Sequence, residues 1–338
     1  MKKFSILLLV LIMIMIPACT TSTTSENNPS VNSPSNDSPS DNQNNTPPQT
    51  PEQEPNPASD FRYTKNEDET ITINQYIGLT SDVVIPEKIE EFPVVEIGQA
   101  AFWSNPRIVS VALPQTIVKI GDQAFEECPA LETVLIPETL KEIGFRAFYK
   151  CEKLSNITLP EGLEHIGNHA FEYCTSLTYV KIPANCLDEL SHHAFHYSGL
   201  EKVEFFPGIK YLPGEVFGGT ALKEITIPSS VTEIDNWAFY NCTRLETVTL
   251  NEGLLSIGGQ VFLYTKITEI IIPSTVSKID EYTFNYCTEL KKVKFEGDAP
   301  DKFKSELEPS FVSYTIYYHE NAKGFTSPEW CGYPTEIW

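Results

Sequence analysis

Phenylalanine returns along the chain at nearly constant intervals, each time five residues after an aliphatic side chain and usually directly after alanine, as in EIGFRAF and HIGNHAF. Successive members of this column are 23, 23, 23, 24, 22, 22, 23 and 22 residues apart; they are Phe102, Phe125, Phe148, Phe171, Phe195, Phe217, Phe239, Phe262 and Phe284. A fixed period of this length is typical of a repeat array, in which each repeat is one structural unit.

The second half of each repeat reads L-x-x-V-x-L/I, followed in most repeats by proline. The alternating apolar residues predict a short strand, and proline ends it because proline cannot donate a backbone hydrogen bond. One repeat cannot bury its apolar face alone, so neighbouring repeats must stack. We therefore predict an α/β repeat solenoid dominated by short parallel strands, with an N-terminal cap and first repeat strand in 60–96, about nine repeats in 97–299 and a C-terminal cap in 300–338.

The third position after each phenylalanine holds a small side chain in every repeat. This column contains Asn105, Cys128, Cys151, Cys174, Ser198, Thr220, Cys242, Thr265 and Cys287. Where serine or threonine replaces cysteine, the next aliphatic residue comes one position sooner. The exchange between these residue types indicates a turn whose side chain contacts backbone groups, and we expect buried thiols with no redox role.

The N-terminus has the pattern of an export signal. Lys2 and Lys3 precede an apolar run that ends at Ile16, too short for the roughly 20 residues that span a bilayer. The following IPAC resembles the lipobox of bacterial lipoproteins, which implies a signal peptide in 1–18 and a lipid attached to Cys19. The alternative is an ordinary secretory signal. In either case the protein is exported.

A polar segment separates this signal from the repeats. Of the 40 residues from 20 to 59, 33 are Ser, Thr, Asn, Gln or Pro. Such a composition has almost no apolar surface to bury and is typical of disordered chain. We interpret residues 19–59 as a disordered stalk that holds the folded part away from a membrane.

The full repeat, I-G-x-x-A-F-x-x-C-x-x-L-x-x-V-x-L-P, resembles the BspA-like, treponemal-type leucine-rich repeats of bacterial surface proteins, over about residues 61–338. The resemblance implies a lipoprotein at the bacterial cell surface, anchored in the membrane through Cys19. It also implies a binding or adhesion module for a protein or glycan ligand. The alternative is a structural or scaffolding envelope protein without a specific external ligand.

Charge and motifs exclude other classes of function. Acidic residues outnumber basic ones by 46 to 24, for a net charge of -22, so a nucleic-acid partner is not expected. The chain has neither a G-x-S-x-G nucleophile elbow nor a phosphate-binding glycine loop. We predict that the protein is not an enzyme and has no cofactor.

Two surfaces are candidates for ligand binding. The residues that flank the strand valine point outward and vary between repeats; the candidates on this face are Thr133, Leu135, Asn156, Thr158, Tyr179, Lys181, Lys202, Glu204, Glu224 and Thr226. The alternative is a merely solvated sheet face. An aromatic residue follows the column phenylalanine by one or two positions in Trp103, Tyr149, Tyr173, Tyr197, Tyr240, Tyr264 and Tyr286. These rings suit interfaces and sugar stacking, or they cover the turn and pack on one another.

Two histidines occupy one column of adjacent repeats. His169 and His193 both lie two residues before the column phenylalanine. Stacking would place them roughly 5 Å apart, as in a pair of zinc ligands. Because the same column holds many residue types in other repeats, we expect exposed histidines and no metal, with this pair as a weak candidate.

Overall fold

The computed structural model of the chain describes residues 54–184, 186–187, 191–303 and 313–338. The predicted signal peptide, Cys19 and the stalk up to residue 53 lie outside the described residues, as does Leu190 of the aliphatic column. In the part that is described, no helix has the length and apolar character needed to cross a bilayer.

The strand predicted from V-x-L/I forms in nearly every repeat, and stacking aligns these strands in parallel. We call this surface the valine sheet; its strands are β3 (Asp82–Val84), β6 (Ser110–Ala112), β8 (Thr133–Leu135), β11 (Tyr179–Ile182), β12 (Lys202–Phe205), β14 (Glu224–Thr226), β16 (Thr247–Thr249), β18 (Glu269–Ile272), β20 (Lys292–Phe295), β22 (Thr315–Tyr318) and β24 (Tyr333–Ile337). Hydrogen-bonded pairing divides it into β3-β6-β8, β11-β12, β14-β16 and β18-β20-β22-β24.

A second parallel ladder, which the sequence analysis did not predict, runs through the aliphatic column five residues before phenylalanine. We call it the isoleucine sheet; its strands are β5 (Phe92–Ile97), β7 (Lys119–Ile120), β9 (Glu142–Ile143), β10 (His165–Ile166), β13 (Tyr211–Leu212), β15 (Glu233–Ile234), β17 (Ser256–Ile257), β19 (Lys278–Ile279) and β21 (Lys302–Phe303). Most of these strands have only two residues, which is too short to show a period of two in the sequence.

Turns form the third side of the solenoid, where an α/β fold would place helices. In the described ranges there is no α-helix, and one 3-10 turn (Ala58–Asp60) is the only helical element. Residues two before and two after the column phenylalanine have positive φ, such as 58° at Gln123 and 56° at Glu127. A left-handed residue every four positions is incompatible with an α-helix. The helical part of the predicted class is therefore replaced by tight turns, while the repeat solenoid of parallel strands is confirmed.

Hydrogen bonds between repeats stabilise these turns. The N–H groups of Gln123 and Phe125 donate to the carbonyl oxygens of Phe145 and Ala147 in the next repeat, at 2.7 and 2.8 Å. The intervening Ala124 N–H bonds within its own repeat, to Gly121 O at 3.3 Å. The turns are thus joined by a third ladder of hydrogen bonds, in which every second N–H group donates to a carbonyl oxygen of the next repeat.

The interior is organised around the phenylalanine column. Neighbouring rings stack along it, with centroids 4.8 Å apart for Phe102 and Phe125 and 6.0 Å apart for Phe195 and Phe217. Buried apolar residues form one continuous cluster from Phe61 in the first strand to Tyr333 near the C-terminus. The repeats therefore share a single core.

The N-terminal cap is a hairpin of β1 (Phe61–Lys65) and β2 (Ile71–Tyr76), followed by β4 (Lys88–Ile89), which pairs with β5. Ile71 and Ile73 are fully buried against the first repeat, as the sequence indicated. Asn56 is also buried, and its N–H donates to Val84 O at 2.9 Å while its Oδ1 accepts from Val84 N–H at 2.8 Å. The folded part therefore includes Asn56, which we had assigned to the stalk.

The C-terminal cap continues the valine sheet instead of ending it. Strand β22 pairs in parallel with β20, and β24 pairs with β22 and, antiparallel, with β23 (Glu329–Trp330). Tyr314 and Tyr333 stack at 4.2 Å and close the interior. Because both caps add strands to the sheets, the solenoid has about eleven turns of about 23 residues, compared with the nine repeats that the phenylalanine column counts.

Candidate functional site

The valine sheet presents the predicted ligand face. Every one of the ten candidates from Thr133 to Thr226 is at least partly exposed, while the valine or isoleucine between each pair is buried. Period-two alternation therefore predicted correctly which side chains point outward. Asn156 joins this sheet through a single bridge to Thr133, and Thr158 lies outside the strands.

Among the ten candidates, the polar contacts concentrate on β11 and β12. Parallel pairing places Tyr179 opposite Lys202 and Lys181 opposite Glu204. Tyr179 Oη donates to Glu204 at 3.0 Å, and Lys202 Nζ lies 2.6 Å from the same carboxylate. The hydrogen bonds from Lys202 and Tyr179 lower the pKa of Glu204, so it stays ionised. Tyr179, Lys202 and Glu204 thus form one connected surface group.

A hollow of about 530 Å³ opens beside this group, where no strand pairing joins β12 to β14 in the part of the chain that the structure describes. Val203 and Ile225 line it together with the polar side chains of Lys181, Lys202, Glu204, Glu224, Thr226, Thr247 and Thr249. Ligand sites are commonly concave, with an apolar part and a few convergent polar groups. All seven polar residues flank the buried valine or isoleucine of a strand, and five of them are among the ten candidates.

The two repeats that contribute β12 and β14 each depart from the repeat pattern. Pro207 follows its strand one residue later than the prolines of other repeats, so Phe206 stands between β12 and the proline, and its ring centroid lies 3.8 Å from Lys181 Nζ. Thr220 supplies the shorter corner in the next repeat, and its hydroxyl donates to Phe217 O of its own repeat at 2.8 Å. This break in the valine sheet thus lies between two repeats that each depart from the regular pattern.

The aromatic edge is largely engaged in ring packing. Tyr173 lies 5.9 Å from Tyr149 and 5.5 Å from Tyr197, between ring centroids. A second run joins Tyr240, Tyr264 and Tyr286 at 6.1 and 4.9 Å. Trp103 is 57% exposed, more than any other member of this edge. The packing gives most of these rings a structural role without a ligand.

The histidines are not exposed as expected. His169 and His193 are half-buried with ring centroids 4.6 Å apart, and His196 is only 8% exposed. The expectation was wrong because the turn folds back on itself. The side chain two residues before the phenylalanine contacts the side chain one residue after the phenylalanine. His169 Nδ1 contacts Glu172 in this way, and Glu172 also lies 3.2 Å from His196 Nδ1 in the next repeat.

Glutamates connect the histidines across three repeats. Burial raises the pKa of Glu172, but the hydrogen bonds from His169 and His196 lower it more strongly, to about 2. His193 Nε2 lies 3.2 Å from Glu215, whose pKa this contact lowers. The sequence analysis found the pair His169 and His193 but missed the other three residues, because their proximity depends on the shape of the turn.

The cysteine corner has the structural role predicted for it. The thiols of Cys128, Cys151 and Cys174 are buried and donate to the carbonyl oxygen of the phenylalanine in the preceding repeat, at 3.1, 3.0 and 3.2 Å. Burial raises the pKa of Cys242 and of Cys287 to about 11, so both thiols stay protonated at neutral pH. Protonated, buried thiols are unreactive.

Comparison with known proteins agrees with this architecture. The sequence matches the BspA type Leucine rich repeat region (6 copies) over residues 95–221 and 210–311, more than half of the chain. The fold is similar to that of a leucine-rich repeat protein from Bacteroides ovatus ATCC 8483, with 25% identity, a TM-score of 0.67 and coverage of 82% of this chain and 74% of the other.

A leucine rich cell surface protein from Faecalibacterium prausnitzii A2-165 is 22% identical, with a TM-score of 0.57 and coverage of 84% of this chain and 95% of that one. A search of curated proteins finds no significant match. The repeat match and the solenoid describe the same segment of chain. The chain therefore belongs to the family of bacterial BspA-type leucine-rich repeat proteins.

Proposed function

We propose that the protein is a cell-surface binding module without catalytic activity, which engages a protein or glycan ligand through the valine sheet. The observation that carries this proposal is the hollow between β12 and β14. It lies on a face whose residues vary between repeats, and it adjoins the group formed by Tyr179, Lys202 and Glu204.

The chemistry of this face suits a polar, uncharged or mixed-charge ligand. Tyr179 is 43% exposed and offers a flat ring with a polar tip, an arrangement that suits both protein interfaces and sugar rings. Lysine ammonium groups supply donors, whereas Glu204 and Glu224 supply acceptors. The nearly balanced charges of this face contrast with the net charge of -22 of the whole chain.

Binding can be tested with the intact chain, solubilised in detergent and immobilised, against extracellular matrix proteins and a glycan array. We expect at least one ligand whose binding falls tenfold or more in Tyr179→Ala and in Lys181→Ala. Lys141→Ala is the matched control, since Lys141 is exposed outside the valine sheet. Absence of binding to every probe would contradict the adhesive role for those ligand classes.

The same variants distinguish a binding module from a structural scaffold of the envelope. If the valine sheet is the contact between copies of the chain, light scattering will show an oligomer that dissociates in Tyr179→Ala. An oligomer of this kind, together with no ligand on the arrays, would replace the binding module with an envelope scaffold.

The surface location includes attachment through Cys19. Support comes from the signal pattern and the IPAC sequence in this chain, and from the relative described as a cell surface protein. Metabolic labelling with palmitate and fractionation of cells will test it. We expect label in the membrane fraction for the natural chain and none for Cys19→Ala; equal labelling of both would contradict lipid attachment at this residue.

A further inference from the structure

Five side chains from three successive repeats converge on the turn side of the solenoid, away from the valine sheet. They are His169, Glu172, His193, His196 and Glu215. Each histidine in this group contacts at least one of the two carboxylates, and the cluster is partly or fully buried throughout. Its members come from the columns two before and one after phenylalanine.

The position of the protons in this cluster follows from Glu172. A carboxylate can only accept hydrogen bonds, and Glu172 contacts the Nδ1 atoms of two histidines, His169 and His196. His196 Nδ1, at 3.2 Å, must therefore carry the proton that it donates to Glu172. In the neutral imidazole this leaves the lone pair on Nε2, which is the ring nitrogen that faces Glu215 Oε2 at 3.4 Å.

The nitrogen that faces Glu215 has no hydrogen-bond partner. His196 Nε2 is buried, lies in a side chain that is 10% exposed, and makes no hydrogen bond. A lone pair and a carboxylate oxygen that face each other in a half-buried position repel unless a cation lies between them. His193 contributes a second imidazole, with Nε2 3.2 Å from the other oxygen of Glu215.

We propose that His193, His196 and Glu215 form a binding site for a divalent transition metal of the zinc class. One ligand atom from each residue lies within 4.8 Å of the others. Two imidazoles and one carboxylate are a ligand set that zinc takes in proteins, with a water molecule as the fourth ligand. The strongly negative charge of the chain favours accumulation of divalent cations.

Glu172 is a positioning residue for this site. A metal-binding histidine commonly donates its other ring N–H to a carboxylate, which fixes the tautomer and the orientation of the ring. The hydrogen bond from His196 Nδ1 to Glu172 has this arrangement. The site does not depend on the proposed ligand face, which lies on the valine sheet.

Isothermal titration of the intact chain in detergent with zinc chloride, after alkylation of accessible thiols, tests the proposal. We expect one zinc ion per chain. His196→Gln and Glu215→Gln should each weaken binding by more than 100-fold, and Glu172→Gln by roughly 10- to 100-fold. His319→Gln is the control: His319 also contacts a glutamate, Glu296 at 3.1 Å, but lies outside the cluster, so its loss should change nothing.

Titration of the unaltered chain with cobalt gives a second readout that needs no variant to fold. Visible absorption typical of four-coordinate cobalt with nitrogen and oxygen ligands is expected. Absence of zinc binding, or zinc binding of equal strength in the folded His196→Gln and Glu215→Gln variants, would overturn the proposal.

Discussion

The phenylalanine column and the column two residues before it lie side by side in every repeat, yet they differ completely in sequence. One contains phenylalanine nine times; the other contains Ala100, Gln123, Arg146, His169, His193, Glu215, Trp237, Gln260 and Tyr282. All nine members of the second column have a φ between 52° and 61°. The backbone is thus repeated as strictly as the core, while the side chains on the turn are free to carry different chemistry.

The difference between the two columns has a physical cause. A core ring stacks on its neighbours in a space that other side chains would leave partly empty, so packing selects one residue type. The turn is held by backbone hydrogen bonds from repeat to repeat, and the side chain takes no part in them. The following predictions test this division, from the core outward.

Removal of a core ring should have the largest effect on stability. Phe148 is fully buried and stacks on Phe125 and Phe171 at 5.2 Å. We expect Phe148→Ala to lower the free energy of unfolding by about 3–5 kcal/mol in urea denaturation. Phe145→Ala is the matched control in the same repeat, since Phe145 is 37% exposed; its cost should stay below about 1 kcal/mol. Equal costs would show that the column is not the core.

Loss of Glu172 should have an intermediate, pH-dependent effect. We expect Glu172→Gln to cost about 1–3 kcal/mol at pH 7, because charge-assisted hydrogen bonds to two histidines are lost. Since folding lowers the pKa of Glu172 from 4.5 to about 2, its contribution is complete above pH 4.5 and is lost as the pH falls towards 2.

Urea titrations at pH 7, 4 and 2.5 will check the direction in which the contribution of Glu172 to stability changes with pH. The difference between the natural chain and Glu172→Gln should shrink steadily across these three values. Glu161→Gln serves as the control, because Glu161 is exposed. A difference that grows on acidification would contradict the assignment of Glu172 as an ionised, hydrogen-bonded group.

A change at the cysteine corner should have a smaller effect. We expect Cys151→Ser to destabilise the fold by about 1 kcal/mol, since the hydroxyl of serine can still donate to a backbone carbonyl, as Ser198 does to Phe195 O at 2.7 Å. Thermal unfolding with and without reductant will measure it. A large effect of reductant on the natural chain would show that the thiols of this column form covalent bonds.

The sequence was sufficient for the parts of the fold that side chains determine. Phenylalanine spacing located the core, and V-x-L/I located the valine sheet and its outward residues. Two features depend on the backbone and left no such signal: the isoleucine sheet, whose strands have two residues, and the left-handed turns, which accept seven residue types in one column. For the same reason Glu172, His196 and Glu215 could not be associated from their positions in the sequence.

Removal of ligand-face side chains should affect stability least. Tyr179 and Lys202 are exposed, and their contacts with Glu204 are at the surface. Exposed ion pairs contribute about 0–1 kcal/mol, so we expect the Tyr179→Ala, Lys202→Ala double variant to unfold within about 1 kcal/mol of the natural chain. A larger loss in the free energy of unfolding, measured in urea, would show that these residues stabilise the fold.

The separation of binding from folding can be measured directly by comparing this double variant with Glu172→Gln on whichever glycan or matrix protein the arrays identify. Our account predicts that the double variant binds at least tenfold more weakly and unfolds almost as before. Glu172→Gln should unfold more easily and bind within twofold of the natural chain. The reverse pattern, with binding lost in Glu172→Gln and retained in the double variant, would contradict the assignment of binding to the valine sheet.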